Sequence, residues 1–124
     1  MPTSVEHLKG NIKRLFEAGV PILVGTDAPN PGTMHGASMH VELELLVDAG
    51  LTPKDALIGA TSRAAACFDL KDRGRIAEEL RADLLLVEGN PCADIKATRN
   101  IVGVWKSGVS VDLGDPSKQN GEAR

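Results

Sequence analysis

The segment Val20-Pro21-Ile22-Leu23-Val24-Gly25-Thr26-Asp27 limits the fold more than any other part of this chain. Its apolar residues follow one another without alternating, and they are rich in β-branched side chains. A strand of that kind needs cover on both faces, as in a parallel sheet flanked by helices. Pro21 can open such a strand but cannot sit at its centre, because it has no N–H to give the ladder. The flanking sequence supplies helices. Thr3 and Glu6 have capping-box spacing, so a helix is expected from near Ser4. Val5, Leu8, Ile12, Leu15 and Phe16 form its apolar stripe, and Gly19 ends it.

After the strand, Ala28-Pro29-Asn30-Pro31-Gly32-Thr33-Met34-His35-Gly36-Ala37 carries two X-Pro bonds and two glycines, which predicts a defined loop. Ser38 is expected to cap a second helix, with Leu43, Leu46 and Val47 on one face and Gly50 at its end. Thr52-Pro53-Lys54-Asp55 starts a third helix with an N-cap, a proline at the first helical position and an early acid. It runs to Ala60, and Thr61-Ser62 breaks or recaps it before residues 63–68. From Asp72 onward the pattern turns to short strands. Arg75-Ile76 reads as a short strand after a turn, and Leu84-Leu85-Leu86-Val87 as a buried one. Residues 101–105 and 109–112, around Lys106-Ser107-Gly108, read as a β-hairpin. Residues 114–124 are expected to be a frayed, disordered tail.

At 124 residues the chain is sized for a single domain with its own core. It has three large rings, no Tyr and a net charge of −3, which argues against nucleic-acid stacking and against anionic membranes. No apolar run approaches a bilayer span, and the N-terminus has no signal-peptide centre, so a cytoplasmic setting is expected. Cys67 and Cys92 form no CxxC pair, and Cys67, in Ala64-Ala65-Ala66-Cys67, is expected to be a small core residue.

Chemistry concentrates at Asp27. A carboxylate at the carboxyl end of a covered parallel strand suits a metal ligand or a general base, and it suits equally an Asx cap of the turn. Spacing leaves both open. His35 and His40 are five residues apart, which is not the i, i+4 pair of a zinc helix. His35 is expected to be a substrate contact or a surface residue, and His7 to be surface. Glu42 and Glu44 lie on different faces of their helix. Arg73, Arg75, Arg81 and Asp83 are expected to be surface charge, with an ion pair between Arg73 and a neighbouring acid left open. There is no GxGxxG, P-loop or GxSxG motif.

Taken in order, three stretches resemble the metal-dependent amidohydrolase superfamily. Residues 19–28 are similar to its last barrel strand. Residues 43–57 with Ala60-Thr61 are similar to the helices that follow. Asp72-Arg73-Gly74-Arg75-Ile76, residues 82–87, Gly89-Asn90-Pro91 and the hairpin at residues 104–111 resemble its closing β-sandwich strands. Asn30-Pro31-Gly32-Thr33 points to the imidazolonepropionase and Xaa-Pro dipeptidase branch.

The resemblance implies an α/β fold. Residues 1–70 would hold the last βα unit of a (β/α)8 barrel, and residues 71–113 the C-terminal strands of a small β-sandwich. It also implies hydrolysis of amide-like C–N bonds in a small-molecule substrate, with a divalent metal, zinc first, in the complete enzyme. Asp27 matches the aspartate that binds metal and moves the proton. Asn30 and His35 would line the substrate mouth. The family's HxH pair and its other metal ligands have no counterpart here, so the chain reads as a C-terminal fragment, inactive and without tight metal alone. At Ala77-Glu78-Glu79-Leu80 the family's usual proline-glycine turn is replaced by two acids, which leaves the turn geometry there open. Other readings are one half of a split enzyme, or a non-enzymatic α/β module that self-associates through exposed strand edges.

Overall fold

A computed structural model of the chain describes residues 4–115. Four helices come first: α1 (Ser4–Glu17), α2 (Ala37–Asp48), α3 (Pro53–Ala60) and α4 (Ser62–Cys67). A 3-10 helix, Ile95–Arg99, lies between β1 (Leu84–Val87) and β2 (Ile101–Lys106), and β3 (Val109–Ser110) ends the order. The Thr3 half of the expected capping box and the tail beyond Asp115 lie outside the described residues.

The core is small and sits where α2, α3 and the 3-10 helix meet. Leu43 and Leu46 of α2, Leu51, Ala56 of α3 and Ile95 form its buried centre. Ile12, Phe16, Ile22 and Val24 pack against that centre from one side. The stripe of α1 is thus only half used: Val5, Leu8 and Leu15 remain exposed. The start of α3 is as expected. Thr52 Oγ1 accepts from the Asp55 N–H at 3.1 Å, and Pro53 occupies the first turn. At α2 the expectation is corrected. The helix begins at Ala37 with Gly36 in the cap position and no side-chain cap, while Ser38 Oγ accepts from the Met34 N–H at 2.8 Å. Ser38 therefore stitches the loop to the first turn instead of capping the helix.

Residues 22–24 form no strand. A strand exists through its ladder, and no described segment lies beside this one to supply it. The run is held instead by α3 and α4: Val24 N–H donates to Gly59 O at 3.3 Å, and Arg63 Nη1 donates to Ile22 O at 3.4 Å. Gly59 is buried there, and a Cβ at that position would stand 2.7 Å from Ile22 O.

The C-terminal strands form one antiparallel sheet in the order β1-β2-β3. Leu84 pairs with Trp105, and Lys106 with Val109. β1 is therefore partnered by β2, but it is not the buried strand expected. Leu85 and Leu86 are 52% and 51% exposed. Nor does Ile76 lie in a strand; it is 90% exposed. The hairpin forms as expected, with Ser107 and Gly108 both at positive φ, the requirement of a two-residue type I′ turn. Cys67 is exposed, not the small core residue expected.

Ala77-Glu78-Glu79-Leu80 keeps a tight turn despite its acids. Leu80 N–H donates to Ala77 O at 3.3 Å, and Glu79 alone of the four has a positive φ, of 64°. That is a type II turn, whose third position favours glycine. Left-handed backbone costs an L-residue roughly 1–2 kcal/mol, partly offset in a glycine variant by the entropy glycine loses. Glu79→Gly is expected to raise stability by about 0.5–1 kcal/mol. A urea midpoint at or below that of the unchanged chain would refute the strain.

Candidate functional site

Asp27 follows the segment clamped by α3, and the loop beyond it folds on itself. Asp27 has a positive φ of 51°, a conformation that Asp tolerates better than most residues. The Asn30 side-chain amide donates to Asp27 Oδ2 at 2.9 Å and also to the Asp27 backbone carbonyl. Thr33 brackets Asn30 in turn: its Oγ1 accepts from Asn30 N–H at 2.9 Å and donates to Asn30 O at 3.1 Å. Gly32, at φ 87°, lets the chain turn back between them. Thr26 Oγ1 accepts from Ala28 N–H at 3.4 Å, and the Ala28-Pro29 peptide is cis.

Two of the three expected site residues are therefore brought together. Asp27 and Asn30 are joined directly, and the Asp27 carboxylate is exposed with Oδ1 unengaged among the described residues. His35 is exposed farther along the loop, with no hydrogen bond or ion pair to either. Thr33 is the residue missed. Its signal was the Asn-Pro-Gly-Thr order, which places a hydroxyl three residues after an asparagine that must turn.

As a metal site the arrangement is too sparse. No group of three or more His, Cys, Asp or Glu side chains could hold a metal ion among the described residues. Asp27 is a single carboxylate, whereas catalytic zinc takes three protein ligands. An open cleft of about 810 Å³ lies elsewhere, between α3, α4 and β1, and none of Asp27, Asn30 or His35 lines it.

A second polar cluster ties α2 to the 3-10 helix. Thr98 is buried and donates its hydroxyl proton to Ile95 O at 2.9 Å, so it can only accept from His40 Nδ1 at 2.9 Å. That fixes the neutral His40 as the Nδ1–H tautomer. Arg99 Nε meets Glu44 Oε1 at 2.5 Å, and this bond holds the Glu44 carboxyl below its usual range. Burial raises the Glu42 carboxyl. Arg73, expected first as surface charge, pairs with its neighbour Asp72 at 2.8 Å.

Burial first, then Arg99, lowers the His40 pKa from its ordinary 6.5, with Glu44 opposing. An unfolded chain then takes up the proton before the folded one as pH falls. His40 is thus expected to cost nothing above 6.5 and to cost stability as pH drops through that value. Glu44, with its lowered pKa, loses its contribution only as pH falls below 4.5, so the two effects separate. Glu42, with its raised pKa, works in the opposite direction as pH falls, so between neutral pH and pH 5 the melting temperature should fall more in the unchanged chain than in His40→Asn. An equal decline in both would refute the assignment.

The amidohydrolase family model matches residues 4–111. An imidazolonepropionase of Deinococcus deserti is 38% identical over 103 residues, which is 80% of this chain and 26% of that protein. An imidazolonepropionase of Cereibacter sphaeroides is 41% identical over 88 residues, 68% of this chain and 21% of its own length. A crystal structure of a Xaa-Pro dipeptidase with methionine bound in its active site superposes with a TM-score of 0.76 at 30% identity. That match covers 85% of this chain and 25% of the dipeptidase. The chain thus spans about a quarter of the length of the relatives it matches. With the match running from α1 through the C-terminal hairpin, this chain belongs to the amidohydrolase family.

Proposed function

We propose that this chain is the C-terminal quarter of a hydrolase that cleaves amide-like C–N bonds in a small molecule. Residues 1–70 would be its last barrel βα unit and residues 71–113 its share of the sandwich. Asp27 would be the catalytic carboxylate and a metal ligand of the whole enzyme. The observation that carries the reading is the Asp27–Asn30 bond, in a loop braced by Thr33 directly after a clamped apolar segment. One carboxylate oxygen is held and the other left to work.

In that role Oδ1 takes the proton from an attacking water and passes it to the leaving nitrogen, a transfer that needs a base fixed within hydrogen-bond reach. Asn30 keeps the carboxylate from rotating away. His35, exposed at the far end of the loop, would meet the substrate. Amidohydrolases generally use a divalent metal, but one carboxylate does not make a site, so any further ligands have to come from outside the described residues. A cytoplasmic setting belongs to the same proposal, supported by two cysteines that are both free. No helix among the described residues is long and apolar enough to cross a membrane.

Titration of the isolated chain with zinc, followed by assay on amide and imidazolone substrates, is expected to give neither one-to-one tight binding nor turnover. Tight stoichiometric zinc together with turnover would overturn the fragment reading.

A further inference from the structure

We propose that Thr98, acting through His40, is a positioning residue for the substrate end of the loop that follows Asp27. The proposal rests on the reading that His35 meets the substrate.

The tie is built from polar atoms of this chain. His40 stands in the first turn of α2, directly after the loop. Its Nδ1–H donates to Thr98 Oγ1 at 2.9 Å, and Thr98 donates its own hydroxyl proton to Ile95 O at 2.9 Å. Thr98 is 3% exposed, the only polar side chain buried among the described residues. A hydroxyl taken out of water is costly unless its bonds are made, and here both are. Ile95 belongs to the centre of the core, so the first turn of α2 is tied to that core. One turn on, Arg99 meets Glu44 at 2.5 Å, so consecutive residues of the 3-10 helix hold α2 at two levels. The His40 level is the one beside the loop.

From that turn, hydrogen bonds run back into the loop. Met34 N–H donates to Ser38 Oγ at 2.8 Å, and Ser38 N–H to Met34 O at 3.2 Å. Ala37 N–H donates to His35 O at 2.9 Å, and Met39 N–H to Gly36 O at 3.1 Å. Met34, His35 and Gly36 are thus carried by the turn that His40 holds. Asp27, at the other end, has a separate anchor: it follows the segment tied to Gly59 and is locked by Asn30. Two anchors at two ends predict two kinetic defects. Loosening the Gly59 end displaces Asp27 and lowers kcat. Loosening the Thr98 end displaces His35 and weakens binding while the base stays in place. Every partner in the Thr98 tie lies within this chain, so the tie does not depend on cover that the chain lacks.

Thr98→Val keeps the shape of the side chain and removes the hydroxyl. The test vehicle carries residues 4–111 in place of the matching quarter of the Deinococcus deserti imidazolonepropionase, with imidazolonepropionate as substrate. KM is expected to rise at least about fivefold while kcat stays within about twofold, with Thr98→Ser restoring KM and Arg99→Gln leaving it unchanged. A merely destabilised fold would lose active enzyme instead, so kcat would fall at constant KM. Hydrogen exchange on the isolated chain needs no turnover. Amides of Met34 and Ser38 should lose protection at least about tenfold in Thr98→Val, while the Val24 amide keeps its own. If Thr98→Val does not fold, His40→Leu breaks the same bond and leaves Thr98 on Ile95 O, with the same readouts expected. Equal loss of protection at Val24 and Met34, an unchanged KM, or a KM raised as much by Arg99→Gln would each overturn the proposal. An inactive chimera with the unchanged sequence would overturn the proposed function instead, and hydrogen exchange would still decide whether Thr98 holds the loop.

Discussion

Asp27→Asn is expected to lower turnover by on the order of 10³-fold once this chain stands in a complete enzyme, a loss typical of removing a positioned proton carrier. The vehicle is a chimera in which residues 4–111 replace the matching quarter of the Deinococcus deserti imidazolonepropionase. The amide keeps the size of the side chain and can still hydrogen-bond, so the loop should survive. Asn30 then faces an oxygen or, after a flip, an amide nitrogen. Folding is expected to change little, because the Asp27 side chain is exposed. A variant that keeps most of its turnover would remove Asp27 from the chemistry. One that loses turnover and melting temperature together would make it a structural turn residue.

Gly59→Val is expected to do the greatest structural damage. A Cβ at that position would lie 2.7 Å from Ile22 O and 3.4 Å from Val24 Cγ2. The first contact is with backbone, which cannot rotate out of the way as a side chain can. Overpacking of this sort costs about 1–3 kcal/mol. The segment that gives way is the one carrying Asp27, since its Val24 N–H bond to Gly59 O is among its few ties. In the isolated chain the Val24 amide should lose its hydrogen-exchange protection. In the chimera, turnover should fall although no residue of the candidate site has changed. A Gly59→Val chain with unaltered stability and Val24 protection would show that the clamp does not set the site.

Local chemistry was legible wherever the determinants lie within a few residues. Thr52, Pro53 and Asp55 specify the start of α3 among themselves, and Ser107-Gly108 specifies the hairpin. The loop between Asp27 and Ala37 was recognisable from its prolines and glycines. Its internal lock was not, because which atom the Asn30 amide meets depends on the turn angles at Gly32 and Asp27.

The misreadings at residues 22–24, Leu84–Val87 and Cys67 share one physical cause. A continuous apolar run reports what must be covered, and it is silent about whether the same chain supplies the cover. Residues 22–24 have the composition of a strand with two neighbours, and Leu85 that of a strand under a second layer. In both cases the cover is missing from the described residues. The 3-10 helix failed for a different reason. Ile95, Ala97 and Thr98 are buried, but five residues show too little periodicity to stand out, and only Asp94, which accepts from Lys96 N–H, marks the start.

Turnover by the chimera tests the central claim most directly. If this chain is an amidohydrolase quarter whose loop presents Asp27, the chimera should hydrolyse imidazolonepropionate, while the recipient lacking its own last quarter should not. A chimera that folds, melts cooperatively and still gives no turnover would contradict the claim that this chain supplies a working catalytic carboxylate.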